Sequence, residues 1–259
     1  MKQSKQLRYQ EYFVEKSDFR ETVFAFNKSD VVASYDLDMD IWHPNRVKMA
    51  SVLCELLPFN KNANLRMVDL GVGTGYVSYR ILETFPNATI IAIDAAELMI
   101  EKAKLRLKDY LKQITFKNLT FQSLLEAGET ISDIDLVVST FALHHLYREE
   151  KLKLFKYIYS ILRTHGWFVN GDVFRTNNAV IEARYRYLHH LGIQHRTKVI
   201  KNQEKSRDQI SSEYLEKETK DGDHPLVLND DLQLLSEAGF CTVECFWKEY
   251  REAVYGGIK

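Results

Sequence analysis

The sequence is short of the residues that mark special environments. Only three of its 259 residues are cysteine, Cys54, Cys241 and Cys245. An odd number with no CxxC pair indicates neither a disulfide framework nor a zinc knuckle, and a reducing cytoplasm is expected. The four prolines are scattered, so no Pro-rich linker divides the chain, and no internal repeat or low-complexity tract is visible. No apolar run approaches the ~18 residues of a membrane span. The opening MKQSKQLRYQEYF lacks the apolar core of a signal peptide, so neither export nor membrane anchorage is expected. Neither sign of charge is in excess: 35 Lys and Arg stand against 36 Asp and Glu, so nucleic acid or an anionic membrane would be attracted by a local patch only. What is present, 45% hydrophobic and 27% charged residues, suits one large globular domain, or one domain with a lid.

From Leu65 onward, short apolar runs alternate with longer amphipathic stretches. RMVDL, TIIAID, LTFQS, IDLVVST and WFVNGDV read as strands; the segments between them carry helical spacing at Val77, Ile81 and Phe85, at Met99, Ala103 and Tyr110, and at Leu152, Phe155, Tyr159 and Leu162. This is the pattern of βα units around a parallel sheet, whose strands are apolar on both faces. Residues 1–60 read as a helical N-terminal cap, with aromatics at Tyr12, Phe13, Phe19, Phe24, Phe26, Tyr35 and Trp42. Residues 174–225 break the βα rhythm and read as a polar, helical, lid-like insertion in a main domain spanning 61–259. The helix NDDLQLLSEAGF then ends at Gly239, and CTVECFWKEY and EAVYGGIK read as a terminal antiparallel hairpin.

The chemistry concentrates at strand ends. Gly71, Gly73 and Gly75 fall in VDLGVGTGYVS, directly after a strand and opening a helix, where glycine permits either a tight turn or close backbone approach to a ligand. A dinucleotide GxGxxG fingerprint would need glycine where Tyr76 stands, which weakens a pyrophosphate reading. Asp69 precedes the turn at the carboxyl end of its strand, where it repels phosphate and attracts a cation. Asp94 ends the next strand, where a carboxylate either accepts hydrogen bonds from both hydroxyls of a ribose or caps the following helix. Together these residues suit a nucleoside bearing an amino group and no phosphate.

VDLGVGTGYVS, IIAIDAAELM, DIDLVVSTFALHHL, LRTHGWFVNGDV and AVYGGIK resemble the successive motifs of the class I S-adenosylmethionine-dependent methyltransferases. The resemblance covers 65–173 in order and resumes over 226–259. It implies an α/β, Rossmann-like seven-stranded sheet, mostly parallel with an antiparallel last strand, and helices on both faces. It further implies that Asp69, Gly71, Gly73 and Gly75 surround the methionine moiety of the cofactor. Asp94 takes the ribose hydroxyls, Ala95 packs on the adenine, Ser123 stands where many members bind the adenine amino group, and Leu124 adds apolar packing. Ser139 falls near the cofactor's reactive end.

Methyl transfer is an in-line displacement, so alignment and exclusion of water are the protein's main tasks, and a base is needed only for a protonated nucleophile. His144, in the pair His144 and His145, is the candidate base; packing or capping of the next helix is the alternative. No metal site is expected, because adjacent histidines point different ways and no third ligand is spaced near them. The acceptor pocket is expected from Tyr35, Trp42, His43 and Arg46 in the cap and from Arg184, Tyr185, Tyr187 and His190 in the insertion. The expected function is transfer of methyl from S-adenosylmethionine to a small organic acceptor at oxygen or nitrogen, leaving S-adenosylhomocysteine. The alternative is a tRNA-modifying methyltransferase using Arg184, Arg186, Arg196, Lys198 and Lys201. A third reading is a non-catalytic cofactor-binding regulator.

Overall fold

The computed structural model describes residues 23, 25–126 and 131–259. Helices α1 (Ser29–Trp42) and α2 (Arg46–Leu56) precede β1 (Arg66–Leu70), α3 (Tyr76–Thr84), β2 (Thr89–Asp94) and α4 (Glu97–Arg106). A 3-10 segment (Lys108–Gln113) leads to β3 (Ile114–Asn118), α5 (Phe121–Glu126), β4 (Ile134–Thr140) and a 3-10 turn (Leu143–His145). There follow α6 (Arg148–Ile161), β5 (Leu162–Val173), α7 (Ala179–Lys201), α8 (Arg207–Asp221), α9 (Leu228–Ala238), β6 (Thr242–Glu249) and β7 (Glu252–Ile258).

The seven strands lie in the order β3-β2-β1-β4-β5-β7-β6. Strands β1 to β5 pair in parallel, and β7 enters antiparallel between β5 and β6. Alternate strand residues serve opposite layers. Val68, Leu70, Ile93, Val137 and Phe168 pack with α5, α6 and α9, whereas Met67, Ile90, Ala92, Leu136, Val138 and Val169 pack with α2, α3 and the end of α4. Covering on both faces is why the strands read as continuous apolar runs. Because the chain crosses from β3 back past β1 to form β4, the sheet's switch point lies between β1 and β4, where a crevice opens at the strands' carboxyl ends.

The described part of the cap holds α1 and α2 beside the helical residues Val23, Ala25 and Phe26, and α1 bridges two bodies. Near its start, Val32 packs with Ala96 and Met99 at the opening of α4; at its end, Ile41 packs with Ile193 of α7 and with Ile210 and Tyr214 of α8. The two insertion helices have their own signals. Asn178 caps α7 by accepting from the Val180 and Ile181 amides, and Ser206 with Gln209 forms a capping box on α8. Both are standard ways to satisfy the first helical N–H groups. Arg251, 6% exposed, then fastens the pair to the sheet through Glu182 and Glu218.

Three sequence expectations are corrected. LTFQS does not form the third strand: pairing with β2 runs Ile90↔Ile114 to Asp94↔Asn118, after which the Thr120 hydroxyl accepts from the Ser123 amide and starts α5. Tyr110 lies beyond α4 in the 3-10 segment. The buried face of α6 is Leu154, Phe155, Ile158 and Ile161, about one residue round from the expected stripe, and Leu162 already belongs to β5. The antiparallel hairpin and the Gly239 helix stop, with φ of 111°, are as read from the sequence. The three cysteines are unbridged. Tyr12, Phe13, Phe19 and Phe24 lie outside the described residues.

One charge pair sits inside the α6–α9 layer. Lys151 Nζ lies 2.9 Å from an Asp231 oxygen, with side chains 1% and 0% exposed. Removing one partner of such a pair strands a charge in the core. Lys151→Met is therefore expected to lower unfolding free energy by about 3–5 kcal/mol, read by urea denaturation; a loss below about 1 kcal/mol would show that the pair does not hold α9 to α6.

Candidate functional site

A cleft of about 670 Å³ opens at the switch point, lined by Gly71, Gly73, Asp94, Ala95, Ala96, Met99, Leu119, Phe121, Thr140, Phe141, Ala142 and His145 and roofed by Val23, Phe26 and Tyr35. Its floor is the turn after β1. Gly71 has φ of 75°, and a Cβ there would lie 2.4 Å from the Ala142 Cβ, so close packing demands glycine. At Gly73, φ 52°, a Cβ would meet only the Gly71 carbonyl oxygen, at an ordinary 4.0 Å. Gly73 is thus required by its left-handed backbone, not by packing, and its face is left clear toward the cleft.

Asp94 organises the cleft's rim. Its carboxylate accepts from the Gly73 amide at 2.8 Å and from the Ala96 amide at 2.9 Å. Burial pushes its pKa up, opposed by these amides. The two amides tie the glycine turn to the start of α4, and a carboxylate's two oxygens retain lone pairs for further donors. Ala95 and the apolar side chains of Met99, Leu119 and Phe121 stand beside it. Phe141, at φ of 50°, turns the chain after β4 so that its ring serves both this cleft and the neighbouring cavity.

The structure brings Gly71, Gly73, Asp94, Ala95 and Tyr35 together at the cleft and sets other sequence-predicted residues outside its lining. Asp69 is 2% exposed and accepts from Ser78 Oγ at 2.6 Å, fixing α3 to β1. Gly75 caps α3, with the space of a Cβ taken by Leu107 and Ala103. Ser139 is fully buried and donates to the Leu70 carbonyl, joining β4 to β1. Ser123 pairs with Thr120 in the cap of α5, and Leu124 is in the core. Leu119 and Phe121 occupy the cleft positions expected of that pair. Sequence reasoning misses them because the apolar run Leu119–Phe121 reads as a strand although β3 ends at Asn118.

Arg46 is likewise no pocket residue. It is 8% exposed, pairs with Asp36 at 2.8 Å and lies 4.1 Å from the Tyr76 ring centroid. Asp36 also binds Arg106 at 2.9 Å and accepts from Thr74 Oγ1; burial alone would raise its pKa, but these partners hold it at about 2. The cluster clamps α1 and α2 onto the glycine turn and α4. Tyr185 packs on Tyr250, Tyr187 lies beside Arg184 and Arg207, and neither lines the cleft. His190 packs on Tyr214.

Two cavities adjoin the cleft through Phe26 and Tyr35. One, open and about 1260 Å³, runs between α1 and α8 and includes Trp42, Asp38, Met39, Lys201, Lys217 and Asp221. The other is smaller and lined by His43, Phe141, His144, His145, Tyr214 and Asp223 among others. His144 is 7% exposed; its Nδ1 meets Asp172 at 2.6 Å and its Nε2 lies 3.4 Å from Asp223. Burial would lower its pKa, yet the two carboxylates outweigh that and raise it to about 10. An imidazolium has no lone pair to take a proton, so the arrangement speaks against His144 as a general base and for a polar lock beneath the cavity.

The comparisons with known proteins agree with this architecture. Residues 67–166 match the family model described as a methyltransferase domain. A malonyl-[acyl-carrier protein] O-methyltransferase of Bacillus cytotoxicus is 33% identical over 135 residues, which cover 51% of this chain and 44% of that protein. The chain thus spans less than half of this relative's length. Among solved structures, an O-methyltransferase family protein from Burkholderia thailandensis superposes with a TM-score of 0.63 at 12% identity, covering 91% of this chain and 61% of the other. PigF with SAH gives a TM-score of 0.63 at 15% identity, covering 95% and 64%. At such identities these two show the fold.

Asp69 generates a pH prediction. Burial raises its carboxyl pKa to about 7, with Ser78 opposing and Asp94 adding to the rise. A raised acid pKa in the folded state means that its stability contribution is complete below the unfolded value and lost as pH climbs to about 7. Asp69→Asn, which keeps an acceptor for Ser78, is expected to be more stable than the parent at pH 8, by up to about 4 kcal/mol, and to lose that advantage by pH 4. Equal differences at both pH values by thermal unfolding would remove the assignment.

Proposed function

We propose, from the premise that residues 67–166 form a methyltransferase domain of the class I S-adenosylmethionine-dependent family, that this chain transfers methyl from that cofactor to a small organic acceptor at oxygen or nitrogen. The single observation that carries the reading is the Asp94 rim: a carboxylate at a switch-point strand end, held by the Gly73 and Ala96 amides and facing a cleft with apolar walls. The donor set fits the cofactor's nucleoside. Asp94 has lone pairs for ribose hydroxyls, Ala95, Met99, Leu119 and Phe121 offer apolar surface for the base, and Gly73 leaves room for close backbone approach.

When bound, the cofactor supplies a methyl group already activated on a sulfonium. The remaining tasks belong to the chain. Phe26, Tyr35 and Phe141 stand between the cleft and the adjoining cavities, so they are placed to align an acceptor and exclude water. An acceptor that arrives already deprotonated needs no base, which suits a site whose His144 is held between Asp172 and Asp223.

The charge pattern supports a small acceptor over RNA. Of the basic residues that suggested RNA, Arg186 is paired with Glu182 and Glu218, Lys198 with Glu204 and Lys201 with Asp38, while Arg196 donates to the Ile41 carbonyl. With three of the five cations already paired to carboxylates, less positive charge is left for counterion release. The Bacillus cytotoxicus relative, whose name gives a malonyl group on a carrier protein as its substrate, also supports an oxygen acceptor.

Asp94→Ala is expected to weaken S-adenosylmethionine binding by about 1.5–3 kcal/mol, measured calorimetrically beside a thermal-unfolding control. Unchanged affinity in a folded variant would remove the ribose assignment. Transfer of radiolabelled methyl into a host-cell extract should place label in the small-molecule fraction; label confined to RNA would overturn the acceptor class.

A further inference from the structure

We propose that His144, His145 and Asp223 form a binding site for a divalent cation of the zinc class, with Asp172 as its outer carboxylate. The 3-10 turn Leu143–His145 sets the two imidazole rings 4.1 Å apart between centroids and 45° to one another. Asp223, two residues past the end of α8, reaches across so that its Oδ1 lies 3.4 Å from His144 Nε2 and 3.2 Å from His145 Nδ1. All three ligand atoms fall within 4.8 Å of one another.

These separations have a specific meaning. Three ligands of a tetrahedral zinc, each about 2.0–2.1 Å from the ion, stand roughly 3.3 Å from one another. The two contacts to Asp223 match that edge length. They do not match a settled hydrogen-bond set: His145 Nδ1 and Asp223 Oδ1 are both buried, and neither makes a hydrogen bond. Facing each other at 3.2 Å, these buried atoms are satisfied only by an ion pair across that gap or by a cation shared with His144.

The outer shell is also in place. Asp172, 1% exposed, accepts from His144 Nδ1, which directs Nε2 toward the shared space. A carboxylate on the far nitrogen of a ligating histidine fixes its tautomer and raises its basicity. Asp172 is itself held by the amides of His144 and Val173. Two carboxylates flank the two imidazoles, and their charge is balanced either by a proton on His144 or by a divalent cation at Nε2, whose binding displaces that proton. Two imidazoles and one carboxylate with a fourth position open are a donor set that zinc accepts.

The three ligands line the small cavity beside the cleft, together with His43, Tyr214, Glu218 and Asp221. The open position therefore faces the space assigned above to the acceptor, where the ion would hold an oxygen of that molecule. Only this role rests on the methyl-transfer reading; the binding of the ion does not.

The test uses the whole chain, treated with a chelator and titrated with Co²⁺ and then Zn²⁺. One equivalent of Co²⁺ should bind with the visible absorption of a tetrahedral complex, and Zn²⁺ should displace it. His145→Gln and Asp223→Asn should each abolish that spectrum in protein whose thermal unfolding shows it folded. Asp172→Asn should weaken binding by about 10–100-fold. No saturable binding, or a spectrum that survives both ligand substitutions, would overturn the site. S-adenosylmethionine binding is measured on the same preparation. Cofactor binding without the metal discards this inference alone, and metal binding without the cofactor discards the methyl-transfer reading alone.

Discussion

Asp172 is the constraint from which the site is built. A carboxylate 1% exposed in the middle of a sheet is tolerable only if charge and hydrogen bonds surround it. The fold supplies both in a continuous chain: Lys151 pairs with Asp231, Tyr255 donates to Asp231, Asn170 donates to the Tyr255 hydroxyl and contacts Asp172, and His144 closes on Asp172 from above. This chain joins α6, α9, β5 and β7 to the turn after β4. The turn's conformation is therefore fixed from below, by the core, and Asp223 and the segment after α8 are drawn down onto it. Burial here purchases position: the histidines cannot move without leaving a carboxylate uncompensated.

A second polar cluster does the same for the other side of the cleft. Asp36 gathers Arg46, Arg106 and Thr74, and so fixes α1 relative to the glycine turn. With both clusters in place, α1 carries Tyr35 over the cleft at one end while its other end packs on α7 and α8. The cap and the insertion thus meet each other above the sheet. Their contact makes the cavities that adjoin the cleft, and neither segment would form them alone.

The parts of this arrangement legible in the sequence are those governed by local rules. Strand runs covered on both faces, the glycine turn, the Asp94 strand end and the Gly239 helix stop all follow from periodicity or from backbone dihedrals. Local rules failed at the β3–α5 boundary, where the apolar run LTF looks like a strand but Thr120 serves as a cap. They failed again for Arg46, Tyr185 and Tyr187. An arginine in a cap reads the same in sequence whether it faces a substrate or an internal aspartate, and the Asp36 partner that decides is ten positions away on another helix. The basic residues of α7 misled for the same reason, since Glu218 and Asp38 come to them through the fold.

The histidine pair draws the line most clearly. By itself the sequence determined that His144 and His145 follow the fourth strand at the ligand end of a parallel sheet, because the hydrophobic run and the connection rules leave no other place. It also gave the sound local inference that no third ligand is spaced near them. Only the tertiary structure decided their chemistry. Asp172 reaches His144 across a strand pair, and Asp223 arrives from the far end of an inserted helix pair. Charge interactions act through space, screened over about 8–10 Å at ordinary salt, and sequence separation does not enter them. A residue's charge state and partners are therefore properties of the folded surroundings, whereas its secondary structure is largely a property of its neighbours along the chain.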